Sequence, residues 1–337
     1  MTDEIRVNSL TQILPSGLSI LVPVYNSSEI LPNLIERLIP VVKSLNVPFE
    51  LILVNDGSSD GSWNVIRKFA AKYTWIHGIC LMRNYGQHNA LLAGLRVAHY
   101  ATTITLDDDL QHPPEELPKL VEKLRDGFDV IYGSPESGTH GFFRNLASVV
   151  TKLTLRNAMG AESARHVSAF RAFKTDLRRA FSTFQNPFVS LDVLLTWGTA
   201  AFGFVRVTHE KRQLGRSTYT VWKLIRHALN MMTGFSVLPL QLASIIGFTF
   251  SLGGLTVLAY VLLRFALYRS TVAGFPFLAS IIAIFSGAQL FALGILGEYL
   301  ARMYVRMMDK PSYVVQLEKE EKLTPCRGTA YETGKAD

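Results

Sequence analysis

The stretch Thr102-Thr103-Ile104-Thr105-Leu106-Asp107-Asp108-Asp109-Leu110-Gln111-His112-Pro113-Pro114 sets three consecutive carboxylates directly after a β-branched run, with two prolines close behind. The β-branched residues read as a strand, and the prolines end it. Clustered acids on a tight turn repel one another and raise each other's pKa unless a cation lies between them. Hard carboxylate oxygens, with the amide oxygen of Gln111 nearby, suit Mg²⁺ or Mn²⁺ holding a phosphate. A solvated acidic loop is the other reading of the same residues. The place at a strand end favours the metal site, because ligands gather there in open α/β sheets.

The flanking chain alternates apolar strand-like runs with amphipathic stretches. Strands are expected over 18–24, 49–54, about 76–82, 102–105 and 128–132. Helices fall between them: about 29–45, with Ile30, Leu34 and Leu38 at helical spacing and Pro40 predicting a kink or early end, then 60–73 with Asp60 as N-cap, a stretch through Leu91 and Leu95, and 114–125. This alternation predicts an open, mostly parallel α/β sheet. Three polar clusters then lie at strand ends: Pro23-Tyr25-Asn26, Asn55-Asp56 and the acid triplet. They are expected to converge on one crevice. Asp56 either accepts hydrogen bonds from a nucleobase or ribose, or is a turn aspartate bonding its own backbone. Neither GxGxxG nor GxxxxGK[ST] occurs, which argues against a dinucleotide cofactor or a P-loop ATPase.

The chain has 337 residues and a formal charge of +7, enough for one large domain plus extras. Cys80 and Cys326 form no metal-ligand pattern, and the acidic start Met1-Thr2-Asp3-Glu4 predicts no cleavable signal peptide. No charged residue occurs between His227 and Arg264, and a second uncharged run extends from Thr271 to Gly297. Each exceeds the roughly 20 residues needed to cross a bilayer, so a transmembrane hairpin of spans at about 238–263 and 273–299 is expected. Basic residues on both outer flanks (Lys211, Arg212, Arg216, Lys223 and Arg226 before, Arg302, Arg306 and Lys310 after) predict cytoplasmic termini. Within Tyr219–Met232, Trp222, Ile225 and Leu229 share one helical face and cations another, an amphipathic helix suited to the membrane interface. Ala243, Gly247 and Ser251 recur every four residues, and Gly287 and Gly294 offer a similar face; either the hairpin or a homo-oligomer could use them.

Leu21-Val22-Pro23-Val24-Tyr25-Asn26, Val54-Asn55-Asp56-Gly57-Ser58 and Asp107-Asp108-Asp109 resemble, in order and spacing, the nucleotide-sugar motifs of the family 2 glycosyltransferases, which have the inverting GT-A fold. Asp107 to Glu115 is similar to the DxDLQxPPE stretch of polyprenyl-phosphate glycosyltransferases, among them the dolichol-phosphate mannose synthases and the undecaprenyl-phosphate glucosyl and formamido-arabinose transferases. Arg83-Asn84-Tyr85-Gly86-Gln87-His88 looks closest to the last of these. The resemblance runs from about residue 18 to 316. It implies that Asp56 contacts the base of the donor nucleotide, with Pro23, Tyr25 and Asn26 lining that pocket and Asp108 near the ribose. It implies that Asp107, Asp109 and Gln111 hold the divalent ion against the diphosphate. Arg212-Gln213-Leu214-Gly215-Arg216-Ser217 matches the family's RxxGxS stretch, whose arginine binds phosphate, a role that guanidinium geometry suits. Asp109 and Arg212 are thus the catalytic candidates. Many members carry an arginine shortly after the fifth strand; here Gly133-Ser134-Pro135-Glu136 stands there, so Arg144 or Arg171 is expected to substitute at the acceptor phosphate. A lipid phosphate is largely ionised at pH 7 and needs no strong base, so His88 and His112 read as loop or packing residues and Asp192 as a satisfied polar group.

The expected organisation is an N-terminal extension (1–17), a cytoplasmic GT-A catalytic domain (18–215), a juxtamembrane helix (216–235), the hairpin (236–301) and a cytoplasmic tail (302–337). The activity implied is inverting transfer of a sugar from a nucleotide sugar, with UDP favoured by the resemblance, to polyprenyl phosphate at the inner membrane, serving cell-envelope glycan or lipid modification. A processive polysaccharide synthase would usually carry QxxRW and more spans, and neither is found. A non-catalytic membrane scaffold would not need Asp56, Asp107, Asp109 and Arg212 intact. The basic residues cluster beside apolar spans without a nucleic-acid-binding motif, so no nucleic-acid partner is expected.

Overall fold

The computed structural model describes residues 16–135, 166–186, 189–210, 238–268 and 274–316. These fall into two compact units: 16–210 with 310–316, and 238–309.

The first unit is built on seven strands: β1 (Leu18–Val24), β2 (Phe49–Asn55), β3 (Ile76–Cys80), β4 (Thr102–Thr105), β5 (Val130–Pro135), β6 (Arg171–Lys174) and β7 (Phe202–Val207). Their order is β3-β2-β1-β4-β6-β5-β7. β1 to β4 are parallel, and β6 runs antiparallel between β4 and β5. The sheet is therefore mixed but mostly parallel. β2 and β3 step to one side of β1 and β4 steps to the other, which opens a crevice at the carboxyl ends of β1 and β4.

Helix α1 (Leu31–Ser44) buries Leu31, Leu34, Ile35, Leu38 and Val42, one face at 3.6-residue spacing. It continues through Pro40 rather than ending there. Pro40 lies on the exposed face, where a carbonyl without its intrahelical partner meets water. Helix α2 (Ser62–Lys72) starts two residues after Asp60, with Gly61 at the N-cap position. Asp60 still accepts the Ser62 N–H at 3.0 Å, so it serves the helix start from one residue further out. Helices α3 (Gln87–Val97), α4 (Leu117–Leu124) and α5 (Leu191–Gly198) complete the unit. In α3, a Cβ on Gly94 would lie 2.0 Å from Leu21 Cδ1, so this helix reaches the sheet only because residue 94 has no side chain.

The second unit is two long helices, α6 (Leu238–Tyr268) and α7 (Phe275–Met307). Leu240–Arg264 and Ile284–Met307 are long and apolar enough to cross a membrane. The helices meet where Gly254 faces Phe285, whose ring would lie 2.8 Å from a Cβ at 254, and where Phe250 packs edge-on to Phe285 at 5.8 Å. Among the described residues nothing lies within 4 Å of an added Cβ at Gly247, Gly287 or Gly294.

After α7 the chain rejoins the first unit. Leu81 and Val315 form an antiparallel bridge, Met82 N–H donates to Val314 O at 2.9 Å, and Gln316 N–H to Cys80 O at 2.8 Å. This short strap covers the end of the edge strand β3.

Candidate active site

The turn after β2 places Asp56 at the crevice, 2% exposed. Its Oδ1 accepts the Tyr85 N–H at 2.7 Å and its Oδ2 the Gly86 N–H at 2.8 Å. Burial pushes this carboxyl above its ordinary pKa, against the two backbone donors that favour the anion. The close approach depends on Gly57, at φ +64°, where a Cβ would lie 2.3 Å from the Arg83 carbonyl carbon. The loop after β1 stands beside it. Asn26, at φ +54°, accepts the Ser59 N–H at 2.9 Å and donates its own N–H to Ser58 Oγ at 3.0 Å. Pro23 is buried, and Tyr25 is half exposed at the rim.

The acid triplet follows β4, with Leu106 and Leu110 buried on either side as anchors and Leu110 at φ +58°. The three carboxylates point to different partners. Asp108 Oδ2 accepts the Tyr25 N–H at 3.1 Å and the Ser27 hydroxyl, so it ties the β4 loop to the β1 loop. Burial raises its pKa, the two hydrogen bonds work against that, and the Asp109 charge adds to it. Asp107 Oδ1 accepts from Gln87 Nε2 at 2.6 Å, and Asp109 Oδ1 from the Gln111 N–H at 3.1 Å. Asp107 and Asp109 are both partly exposed. Among the described residues no group of three or more His, Cys, Asp or Glu is arranged to hold a metal. Two partly exposed carboxylates on one loop still suit an ion such as Mg²⁺, which takes one or two carboxylates and completes its shell with water and substrate phosphate.

Arg171 requires a correction. The expectation set it at an acceptor phosphate, but it is 1% exposed inside the sheet, on β6 opposite Thr105. Its guanidinium pairs with Asp192 on α5 and donates from Nε to Thr105 Oγ1 at 3.0 Å. Tyr132 donates its hydroxyl to the same Asp192 oxygen at 3.0 Å. Burial alone would lower the Arg171 pKa, but the charge of Asp192 outweighs it and keeps the guanidinium protonated. A buried charge already matched in this way is structural, not displayed to a ligand. His88 Nδ1 accepts the Leu191 N–H at 3.2 Å. His112 stacks on Phe170 at 5.2 Å, and burial with the neighbouring His209 pulls its pKa down to about 4, so it is neutral. Arg144, Arg212 and the amphipathic stretch 219–232 lie outside the described residues.

The structure thus brings Tyr25, Asn26, Asp56 and Asp107–Gln111 to one crevice. Sequence reasoning missed Ser27, Tyr85, Gly86 and Gln87, which hold those acids. The Arg83–His88 resemblance was the available signal for three of the four.

A mostly parallel sheet whose acidic strand ends meet at the β1/β4 crevice has the GT-A architecture of nucleotide-sugar transferases. Residues 19–181 match the model for glycosyl transferase family 2. The chain is 33% identical over 302 residues to undecaprenyl-phosphate 4-deoxy-4-formamido-L-arabinose transferase of Serratia proteamaculans, covering 89% of this chain and 93% of that one. It is 34% identical over 303 residues to the protein of the same name from Pectobacterium carotovorum, covering 89% and 92%. Among solved structures it is similar to glucosyl-3-phosphoglycerate synthase from Mycobacterium tuberculosis, at 19% identity and TM-score 0.49 over 65% of this chain and 78% of that one. The chain belongs to glycosyl transferase family 2, among the polyprenyl-phosphate transferases, and is a glycosyltransferase.

Proposed function

We propose that this glycosyltransferase moves a sugar, with inversion, from a UDP-sugar to undecaprenyl phosphate at the cytoplasmic face of the inner membrane. The product is a lipid-linked sugar monophosphate for cell-envelope modification. The observation that carries this reading is the meeting of Asp56, the 25–27 loop and the acid triplet at one crevice, in a chain that also has two bilayer-length helices. The names of its relatives support the acceptor.

Each part has a chemical task. Asp56 and the β1 loop receive the base, and their backbone contacts fix that pocket before the donor arrives. Asp107 and Asp109, with Gln111, would hold Mg²⁺ or Mn²⁺, which neutralises charge growing on the leaving diphosphate. An oxygen of the lipid phosphate attacks the anomeric carbon from the face opposite the departing diphosphate. The carbon–oxygen bond to that diphosphate breaks as the new one forms, and the nucleoside diphosphate leaves. The attacking phosphate is already ionised, so no side chain has to remove a proton. Arg212 is the proposed clamp for a phosphate in this step.

The test is purified full-length protein with undecaprenyl phosphate, divalent ion and a panel of labelled nucleotide sugars, including the UDP-linked formamido-arabinose. One lipid-linked monosaccharide phosphate is expected. No lipid product from any donor would overturn the reading, and long polymer would replace it with processive synthesis.

A further inference from the structure

The acid loop and the chain leaving β7 come from distant parts of the sequence, yet one side chain from a third element joins them. Arg37, on α1, forks onto Glu115 with Nε to Oε1 at 3.0 Å and Nη2 to Oε2 at 2.8 Å. The same guanidinium reaches Glu210, with Nη2 to Oε1 at 3.2 Å and Nη1 to Oε2 at 3.5 Å. Two more contacts lie alongside. The Glu210 N–H donates to Gln111 O at 2.9 Å, and the His209 ring packs edge-on to His112 at 5.0 Å. Glu115 ends the loop that begins with the acid triplet, and Glu210 stands two residues before Arg212. Two residues of chain span at most about 7 Å, so holding Glu210 restrains the start of the segment that contains Arg212.

We infer that Arg37 is a positioning residue for sugar transfer, a clamp that holds the chain leading from β7 against the acid loop so that acceptor and donor phosphates meet in register. This rests on the transfer reaction proposed above. Stability does not explain the arrangement well. Exposed ion pairs contribute little to stability, and Arg37, Glu115 and Glu210 are all partly exposed. Geometry explains it better, because a planar fork fixes two carboxylates at once where a lysine point charge could not. The acid loop does not need Arg37 for its own shape. Ser27 and the Tyr25 N–H hold Asp108, Leu106 and Leu110 are buried, and the Gln111 N–H bonds Asp109. Loss of Arg37 therefore frees the 208–210 side more than the donor side.

The experiment compares Arg37→Ala, Arg37→Lys and Glu210→Gln with wild type in the full-length protein. In Arg37→Ala the KM for undecaprenyl phosphate rises about 10-fold, while kcat and the nucleotide-sugar KM stay within about 2-fold. Arg37→Lys falls between the two, Glu210→Gln repeats the acceptor effect, and the double variant Arg37→Ala/Glu210→Gln is no worse than Arg37→Ala alone. Donor and acceptor KM rising together, or no kinetic change, would overturn the inference. Hydrogen exchange reads the clamp without turnover: amides of 208–210 exchange faster in Arg37→Ala and those of 104–110 do not, and unchanged exchange at 208–210 overturns it. Wild-type protein that makes no lipid product counts against the proposed reaction, whereas the exchange result judges the clamp. Should Arg37→Ala fail to fold, Arg37→Lys and Glu210→Gln carry the same measurements.

Discussion

Strand β2 has a buried carboxylate at each end, and the two live in opposite surroundings. Glu50, near its start, is 3% exposed and Asp56, just past its end, is 2% exposed. Glu50 accepts the Ser19 hydroxyl at 2.6 Å, the His99 N–H at 2.7 Å and contacts His99 Nδ1 at 2.9 Å, with His77 Nε2 at 3.5 Å. Burial pushes its pKa up, but these contacts together outweigh burial and hold it below its ordinary value. Asp56 has two neutral backbone donors, and there burial wins. One end of the strand is a completed joint. The other keeps a carboxylate under an unfavourable charge, which is the condition expected of a group waiting for a ligand. Burial alone does not separate the two; the supply of donors does.

The largest effect that sharpens this contrast lies in the acid loop. Asp109→Asn keeps the size of the side chain and removes a charge proposed to hold the divalent ion. Transfer should fall about 100-fold or more, the scale of losing charge stabilisation in a transition state, with little change in thermal stability. Full activity in this variant would return the triplet to a solvated loop. Arg171 resembles the Glu50 end in being buried and paired, here with Asp192, so its removal should lower thermal stability.

The next effect is one of stability and has opposite signs at the two ends of β2. Glu50 has a folded pKa below 4.5, so its contribution is present above that value and disappears as pH falls through the folded pKa. Glu50→Gln should cost about 1–3 kcal/mol at pH 7, and the gap from wild type should close in acid. Asp56 has a folded pKa above 3.8, so its favourable contribution is present below 3.8 and is lost as pH rises through the folded value. Asp56→Asn should then show its deficit grow toward acid in ligand-free protein, together with a donor KM raised about 10-fold at neutral pH. Thermal melts from pH 3 to 7 check both signs; parallel curves would erase the distinction.

How much of this was legible beforehand follows from the range of each interaction. Periodicity and turn residues placed β1, β2, β4 and α1 closely, because those signals are local. Strand ends and sheet order then put Asp56 and the triplet together by topology. The antiparallel strand Arg171–Lys174 was not read, since Arg-Ala-Phe-Lys is too short to show alternation. For the same reason Arg171 looked like a spare cation: its partner Asp192 is on α5, and no local pattern reports such a pairing. Asp108 was read as lying near the ribose, and the structure adds that it bonds Tyr25 and Ser27 across the crevice, contacts no local pattern reports. Resemblance grouped the acids, but it could not name the neighbours in the fold, such as Ser27, Tyr85 and Gly86, that bond them.

The smallest expected effect separates the ends of β2 from outside. The strap at 312–316 is bonded to Cys80 and Met82, and the donors to Asp56 follow at Tyr85 and Gly86. Ser312 adds hydrogen bonds of 3.0 Å to both the N–H and the carbonyl of Asn186, and Arg96 lies 5.3 Å over the Tyr313 ring. Gln316→Pro removes the N–H that reaches Cys80 O and the side-chain amide oxygen 3.8 Å from Cys80 Sγ, leaving the other contacts to hold the strap in place. The 83–86 loop loses part of its support, so the nucleotide-sugar KM should rise about 2- to 3-fold. The pH profile of stability set by Glu50 should not move, because the partners of Glu50 among the described residues, Ser19, His77 and His99, all lie outside the strap. A changed Glu50 profile would mean that the two ends of β2 are coupled through the sheet. An unchanged donor KM would mean that Gly57 and the α3 packing hold the Tyr85–Gly86 donors without help from the chain that follows α7.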